Sequence, residues 1–244
     1  MGRQIELSHR MQTIAGLVTP GLRVCDVGCD HGFISIYLIQ QAISPYVIAM
    51  DVNRGPLQTA KTHVAGYGLE HQIELRLSDG VHQLTAGEAE ALICAGMGGR
   101  LIRRILEEGW EKLSHMQEWI LQPQSEIGEL REYLYQKGCL IAEEEMVKED
   151  GKYYVILKVL PQRQAVPGQA GEGKPTSYEM VYGPVLLKRK HPVLREFLQQ
   201  EELQCQKILE ALPPGEGRRE NRRQEILQRM DEIHRAQACF AEGC

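Results

Sequence analysis

The sequence has no apolar run approaching the roughly 20 residues that a membrane-spanning helix requires, and residues Met1 to Arg10 carry charge but no apolar signal segment. A soluble, unprocessed chain is predicted. Glu6 stands where a myristoylation signal requires Ser or Thr. The seven cysteines include no Cys-x-x-Cys pair and are odd in number, which excludes a disulfide framework or a zinc cage and fits a reducing cytoplasm. The scattered His and Cys offer no metal-ligand spacing, so no metal is expected. An excess of positive charge is also missing. The formal net charge of −5 argues against a globally basic nucleic-acid binder and leaves only local basic patches.

What remains is 244 residues, 43% of them hydrophobic, enough for one large domain or a domain with an appendage. From Leu22 to Leu160, short apolar β-rich runs alternate with helix-length periodic stretches, the pattern of an α/β domain with parallel strands and crossover helices. Seven strands are predicted at Leu22–Val27, Tyr46–Asp51, Gln72–Leu77, Ala91–Ala95, Glu118–Leu121, Leu140–Val147 and Tyr153–Leu160. The last two are separated by five residues containing Asp150-Gly151, too few for a crossover, and should pair as an antiparallel hairpin. A helix over about 8–18 precedes them, with Leu7, Met11, Ile14 and Val18 on one face and Ser8 as its N-cap. Its expected role is to close the core. Residues 162–177 read as a Pro- and Gly-rich linker, so a catalytic domain over 1–161 and a second domain over 178–244 are expected. In the second, Leu194, Leu198, Cys205, Ile208 and Leu212 form one helical stripe and Ile226, Met230, Ile233 and Phe240 another. They flank Pro213-Pro214-Gly215-Glu216-Gly217 and predict a helical hairpin of coiled-coil character. From Thr176 onward basic and acidic side chains balance, eleven each, with bases clustered at Lys188-Arg189-Lys190 and at Arg218, Arg219, Arg222 and Arg223.

The chemistry gathers at strand ends. The first strand leads into Asp26-Val27-Gly28-Cys29-Asp30-His31-Gly32 ahead of a helix from Phe33, a turn suited to a nucleotide-type cofactor. A dinucleotide-binding turn would have a second glycine where Cys29-Asp30 stands, and Asp30 would repel a pyrophosphate. Carboxylates suit a cofactor carrying a sulfonium and an ammonium, as S-adenosylmethionine does. Asp26, Gly28, Asp30, Asp51 with Val52, Asp79 with Gly80, and Gly96 are the cofactor candidates. Asp51 is placed to take the ribose hydroxyls, and Asp79 the exocyclic amine of the adenine. Met97, Gly98 and Gly99 would form a floor for a planar substrate, and the amides of Gln122 and Gln124 could read a base edge.

On these residues the chain resembles the bacterial tRNA (adenine-N1)-methyltransferases of the TrmK type, which modify adenine 22. The resemblance spans nearly the whole sequence. It rests on Leu7 to Ala15, Asp26-Val27-Gly28-Cys29-Asp30-His31, Ala95-Gly96-Met97-Gly98-Gly99, Leu121-Gln122-Pro123 and Glu149-Asp150-Gly151-Lys152-Tyr153-Tyr154. It implies a Rossmann-like class I methyltransferase domain, S-adenosylmethionine as methyl donor, and a C-terminal helical domain helping to hold tRNA.

Adenine N1 already offers a lone pair, so alignment rather than a strong base should govern the rate. Asp30 is the candidate for stabilising the methylated ring or accepting a proton, with His31 orienting it. Arg10, Arg100, Arg103, Arg104 and the two basic clusters, Lys188-Arg189-Lys190 and Arg218, Arg219, Arg222 and Arg223, are the candidates for phosphates, and Tyr153 or Tyr154 for stacking on the base. A monomer acting in the cytoplasm without membrane contact is expected. Two other readings stand beside this one, an NAD-dependent oxidoreductase on the same fold and a non-catalytic adaptor built on the helical tail.

Overall fold

The computed structural model describes residues 4–161, 175–212 and 217–241. The chain divides into two compact units, Met1–Gly168 and Gln169–Cys244. Residues 162–174 of the expected linker and 213–216 of the expected helix-connecting turn lie outside the described residues.

In the first unit the seven apolar runs form β1 (Val24–Val27), β2 (Val47–Asp51), β3 (Ile73–Leu77), β4 (Ala91–Met97), β5 (Glu118–Pro123), β6 (Leu140–Glu149) and β7 (Lys152–Leu160). They make one sheet in the order β3-β2-β1-β4-β5-β7-β6. The first five strands are parallel, and β7 runs antiparallel to both β5 and β6. Every residue of β1 and β2 is buried, as expected of parallel strands covered on both faces. The edge strand β3 is charged instead, with Arg76 bonded to Glu74 and Glu88, which blunts the exposed edge against further pairing. The expected hairpin forms through Asp150 (φ +49°) and Gly151 (φ +73°), the paired left-handed residues of a tight antiparallel turn.

The crossovers are α2 (Phe33–Gln40), α3 (Arg54–Gly66), α4 (Gly99–Glu108) with the short α5 (Trp110–Leu113), and α6 (Ile127–Gln136). The first helix, α1 (His9–Gly16), is capped by Ser8, whose Oγ accepts from Met11 N at 3.5 Å. It ends at Gly16, two residues short of the expected Val18. Gly16 is a weak helix former, and Thr19-Pro20 follows. Ile14 and Ala15 are fully buried beneath it, so the core-closing role is fulfilled. A buried ion pair, Arg131 Nε to Glu144 Oε1 at 2.8 Å, ties α6 to β6.

After β1 the chain adds β2 and β3 on one side, then returns to add β4 on the other. That reversal opens a crevice at the carboxyl ends of β1 and β4, where ligands of open α/β sheets bind.

The second unit holds α7 (Ser177–Tyr182), α8 (Pro184–Lys188), α9 (Pro192–Ala211) and α10 (Arg218–Ala241). The two long helices lie antiparallel, with Arg229 on Glu201 at 2.6 Å and His234 Nε2 on Glu202 at 3.2 Å. Leu194, Leu198, Cys205, Ile226 and Ile233 are buried as the stripes require, joined by Ala236. Ile208 is not: it is exposed, bordering an open cleft between α9 and α10. Leu212, Met230 and Phe240 are only partly covered. The unit is also more than a hairpin, because α7 and α8 add buried Met180, Tyr182, Leu186 and Leu187. Thr176 and Glu179 form a capping box that starts α7 inside the stretch read as linker.

Candidate active site

The turn after β1 is built on hydrogen bonds to its neighbour strand. Gly28 N and Cys29 N both donate to Met50 O, at 2.8 and 3.0 Å, and Gly28 holds φ +73°. Asp30 is itself left-handed (φ +51°), a conformation Asp tolerates better than most residues. Its backbone N donates to Asp51 Oδ2 at 3.2 Å, while Asp51 Oδ1 accepts from Asn53 N at 2.7 Å. The carboxylate at the end of β2 therefore fixes the loop at the end of β1. Beneath them Asp26 is 3% exposed and accepts from Ser35 Oγ at 2.6 Å. Burial pushes its carboxyl up to about 6, the Ser35 bond opposing and the neighbouring Asp51 adding to the shift. Burial, reinforced by Asp26, Asp51 and Asp30, raises the Cys29 thiol far above neutral pH, so it stays protonated and is no nucleophile.

At the end of β3, Asp79 Oδ1 accepts from Arg104 Nη2 at 2.9 Å. At the end of β4 the register against β5 slips between Ala95 and Met97, and Gly96 takes φ +74° there. Gly96 N donates to Gln122 Oε1 at 3.1 Å, and the same oxygen accepts from Arg10 Nη1 at 2.8 Å. Arg10 is held further by Glu149 Oε2 at 3.6 Å and lies 4.8 Å from the Tyr154 ring centroid.

These strand ends enclose one cavity of about 590 Å³. It gathers Arg10, Asp26, Gly28, Asp30, His31, Asp51, Val52, Asp79, Gly80, Gly96 and Met97, all singled out from sequence. His31 Nε2 stands 3.6 Å from Asp30 Oδ1, and its backbone oxygen meets His63 Nδ1 at 3.0 Å. The His63 ring stacks on Phe33 at 5.0 Å between centroids.

Other expected residues stand elsewhere. Gln122 is fully buried, its oxygen taken by Arg10 and Gly96 and its nitrogen donating to Pro123 O at 3.1 Å, so it supports the cavity from behind and has no free edge for a base. Gly98 and Gly99 are the N-cap and first residue of α4 rather than an open floor. A Cβ on Gly99 would come within 2.5 Å of Ser125 O, so the glycine serves close backbone packing. Tyr153 does not line the cavity, and Lys148 Nζ lies 5.2 Å from its ring. Tyr154 alternates to the opposite face and meets Arg10 instead. Lys188, Arg189 and Lys190 are exposed at the end of α8 in the second unit. The sequence reading missed Met11 and Ile14 of α1 and Leu101 of α4 as cavity walls. It missed Asn53 as well, for which the only signal is its place two residues after the strand-end Asp51.

The cavity suits S-adenosylmethionine and not a dinucleotide. A buried carboxylate lies at its base, and Val52 and Leu101, two of the few large apolar side chains left exposed, line it. The left-handed Gly28, Gly80 and Gly96 present bare backbone to it.

The sequence model of the tRNA (adenine(22)-N(1))-methyltransferase family matches residues 24–237. The tRNA (adenine(22)-N(1))-methyltransferase of Bacillus subtilis (strain 168) is 34% identical over 231 residues, 93% of this chain and 95% of that one. The crystal structure of the B. subtilis m1A22 tRNA methyltransferase TrmK superposes with a TM-score of 0.82 at 31% identity, covering 96% of this chain and 99% of the other. Streptococcus pneumoniae Sp1610 in complex with S-adenosyl-L-methionine gives 0.81 at 32% identity, over 95% and 99% of the two chains.

Proposed function

The chain belongs to the tRNA (adenine(22)-N(1))-methyltransferase family and is an S-adenosylmethionine-dependent tRNA methyltransferase, and on that premise we propose which of its residues perform the reaction. The observation that carries the reading is the convergence of Asp26, Asp30, Asp51 and Asp79 with the bare backbone of Gly28 and Gly96 on one cavity.

Asp51 takes the ribose hydroxyls, Val52 and Leu101 flank the cofactor's adenine, and Asp79 takes the exocyclic amine with the oxygen that Arg104 leaves free. Asp26 faces the ammonium end, where a positive charge favours its ionised form. The bound cofactor supplies a methyl group on a cationic sulfur, transferable by direct displacement.

The protein's task is then alignment. Holding the acceptor nitrogen in line with that methyl is worth about 7–11 kcal/mol of the barrier. Methylation leaves the ring positively charged, and the Asp30 carboxylate at the cavity mouth, with His31 Nε2 beside it, stabilises that charge or takes a proton from N6. Because N1 lies on the pairing edge, the target base enters unstacked, at a cost of about a few kcal/mol. Arg10 at the cavity and the exposed Lys188, Arg189 and Lys190 serve the phosphates. The cytoplasm, where tRNA matures and thiols stay reduced, is the place of action.

Methyl-labelled S-adenosylmethionine incubated with unmodified tRNA, followed by nucleoside analysis, should yield N1-methyladenosine at position 22. Label in another base or in ribose would overturn the assignment, as would tighter binding of NADH than of S-adenosylhomocysteine.

A further inference from the structure

We propose that Gln124 is the residue by which the site recognises adenine, its carboxamide pairing with the N6 and N7 edge so that N1 stays free to meet the methyl. The inference rests on the adenine-N1 reading above and names the group that enforces it.

Two glutamines flank Pro123, and the structure divides their work. Both ends of the Gln122 carboxamide are engaged in the interior. Gln124 is exposed, lines the cavity, and its carboxamide makes no hydrogen bond among the described residues. Its backbone is nevertheless fixed, because Gln124 N donates to Met97 O at 2.8 Å. The amide nitrogen lies over Gly96, 3.7 Å from where a Cβ would stand on that residue. A polar head free of partners, on an anchored backbone and over bare glycine, is poised for a ligand.

Sheet order says which ligand. The carboxylates assigned to the cofactor's ribose and adenine stand at the ends of β2 and β3, and Gln124 follows β5 on the other side of β1 and β4. At about 4.8 Å per strand, Gln124 is one spacing from β4 and about 14 Å from β2. The donor nucleoside occupies the β2–β3 side, so the acceptor base comes from the side of Gln124.

The chemistry then matches. A carboxamide offers one acceptor and one donor, the complement of adenine N6–H and N7, whereas guanine presents two acceptors on that edge. Pairing there uses the N6 hydrogen remote from N1 and leaves the N1 lone pair unobstructed. As the ring gains positive charge, N6–H becomes a stronger donor to Oε1, so this contact tightens toward the transition state.

The test compares tRNA carrying adenosine with tRNA carrying 7-deazaadenosine at position 22, which deletes the N7 acceptor. With the unsubstituted protein kcat/KM should fall about 3- to 10-fold, the size of the one hydrogen bond of the pair that the deletion removes. Gln124→Leu should be slow on adenosine and indifferent to the deletion, with S-adenosylhomocysteine affinity unchanged as evidence of a folded site. Gln124→Glu retains an acceptor for N6 but sets a second acceptor against N7, so it should show no penalty on the 7-deaza substrate. If Gln124→Leu keeps the 7-deaza penalty, or the unsubstituted protein methylates both substrates equally, this inference is overturned alone. A protein that forms no N1-methyladenosine at all overturns the reading beneath it as well.

Discussion

Arg10 and Gln122, 112 residues apart in the chain, share a 2.8 Å hydrogen bond that joins α1 to β5 at the wall of the cavity. The same Gln122 oxygen accepts from Gly96 N, so one carboxamide positions both a cavity arginine and the slipped backbone of β4. Gln122→Leu strands both donors, and unfolding in urea should show a loss of about 1–3 kcal/mol, the cost of leaving buried polar groups unsatisfied. Arg10→Ala with Gln122→Leu should cost less than the sum of the single changes, with a coupling of about 0.5–3 kcal/mol. Strict additivity would show that the two side chains do not act together.

Gly28→Ala should abolish cofactor affinity more than it harms the fold. The left-handed backbone costs an L-residue about 1–2 kcal/mol. The added Cβ would also collide with the terminal methyl of Met97, which would have to shift within the wall of the cavity. Gly21→Ala is the control, since Gly21 is left-handed as well (φ +93°) but has open space around it. Calorimetry with S-adenosylhomocysteine should separate them, with affinity lost for Gly28→Ala and kept for Gly21→Ala. Equal affinities would remove Gly28 from the cofactor's surroundings.

The two aspartates that meet across β1 and β2 should fail differently. Asp51 holds the backbone N–H groups of Asp30 and Asn53, so Asp51→Ala loosens the loop and should chiefly weaken S-adenosylhomocysteine binding. Asp30 is held through its main chain and leaves its carboxylate largely exposed. Asp30→Ala should therefore lower kcat with a smaller change in cofactor affinity. The reverse ranking would refute both roles.

The carboxyl of Asp26 gives the fold a pH signature. Its folded value near 6 lies above the ordinary 3.8, so the fold prefers the protonated form. That contribution is complete below about pH 4 and is lost as pH rises through about 6, amounting to about 3 kcal/mol in total. Glu88, pulled down to about 2 first by its bond from Arg76, has the opposite slope, so the comparison must be between variants. Denaturation of the ligand-free protein at several pH values should show that Asp26→Asn flattens the decline between pH 4 and 6. Parallel curves for the two proteins would contradict it.

Much of this was legible because it depends on alternation and on strand-end chemistry. Seven apolar runs gave seven strands, and the absence of room for a crossover around Asp150-Gly151 was enough to foresee the hairpin. Glycines misled at Gly98 and Gly99. They read as an open loop, yet they admit the start of α4 close against Ser125, a long-range contact with no local mark. Gln122 and Gln124 are alike in composition and opposite in environment, and only the arrival of Arg10 from α1 decides which is consumed. The helices α7 and α8 are too short for a periodic stripe to announce them, and Gly183-Pro184, where α7 ends and α8 begins, reads as a break. The burial of Ile208 was overestimated because a helical stripe records which face is apolar and says nothing of how far the partner helix covers it.

The clamp on Arg10 sets an order of events during synthesis. Arg10 lies on α1, but Glu149, which accepts from its main-chain N–H at 3.1 Å, follows 139 residues later. Until the end of β6 has emerged, the growing polypeptide has the glycine turn and its carboxylates without the anchor that seats Arg10. The seating of this arginine is therefore a late event, waiting until the sheet is almost complete.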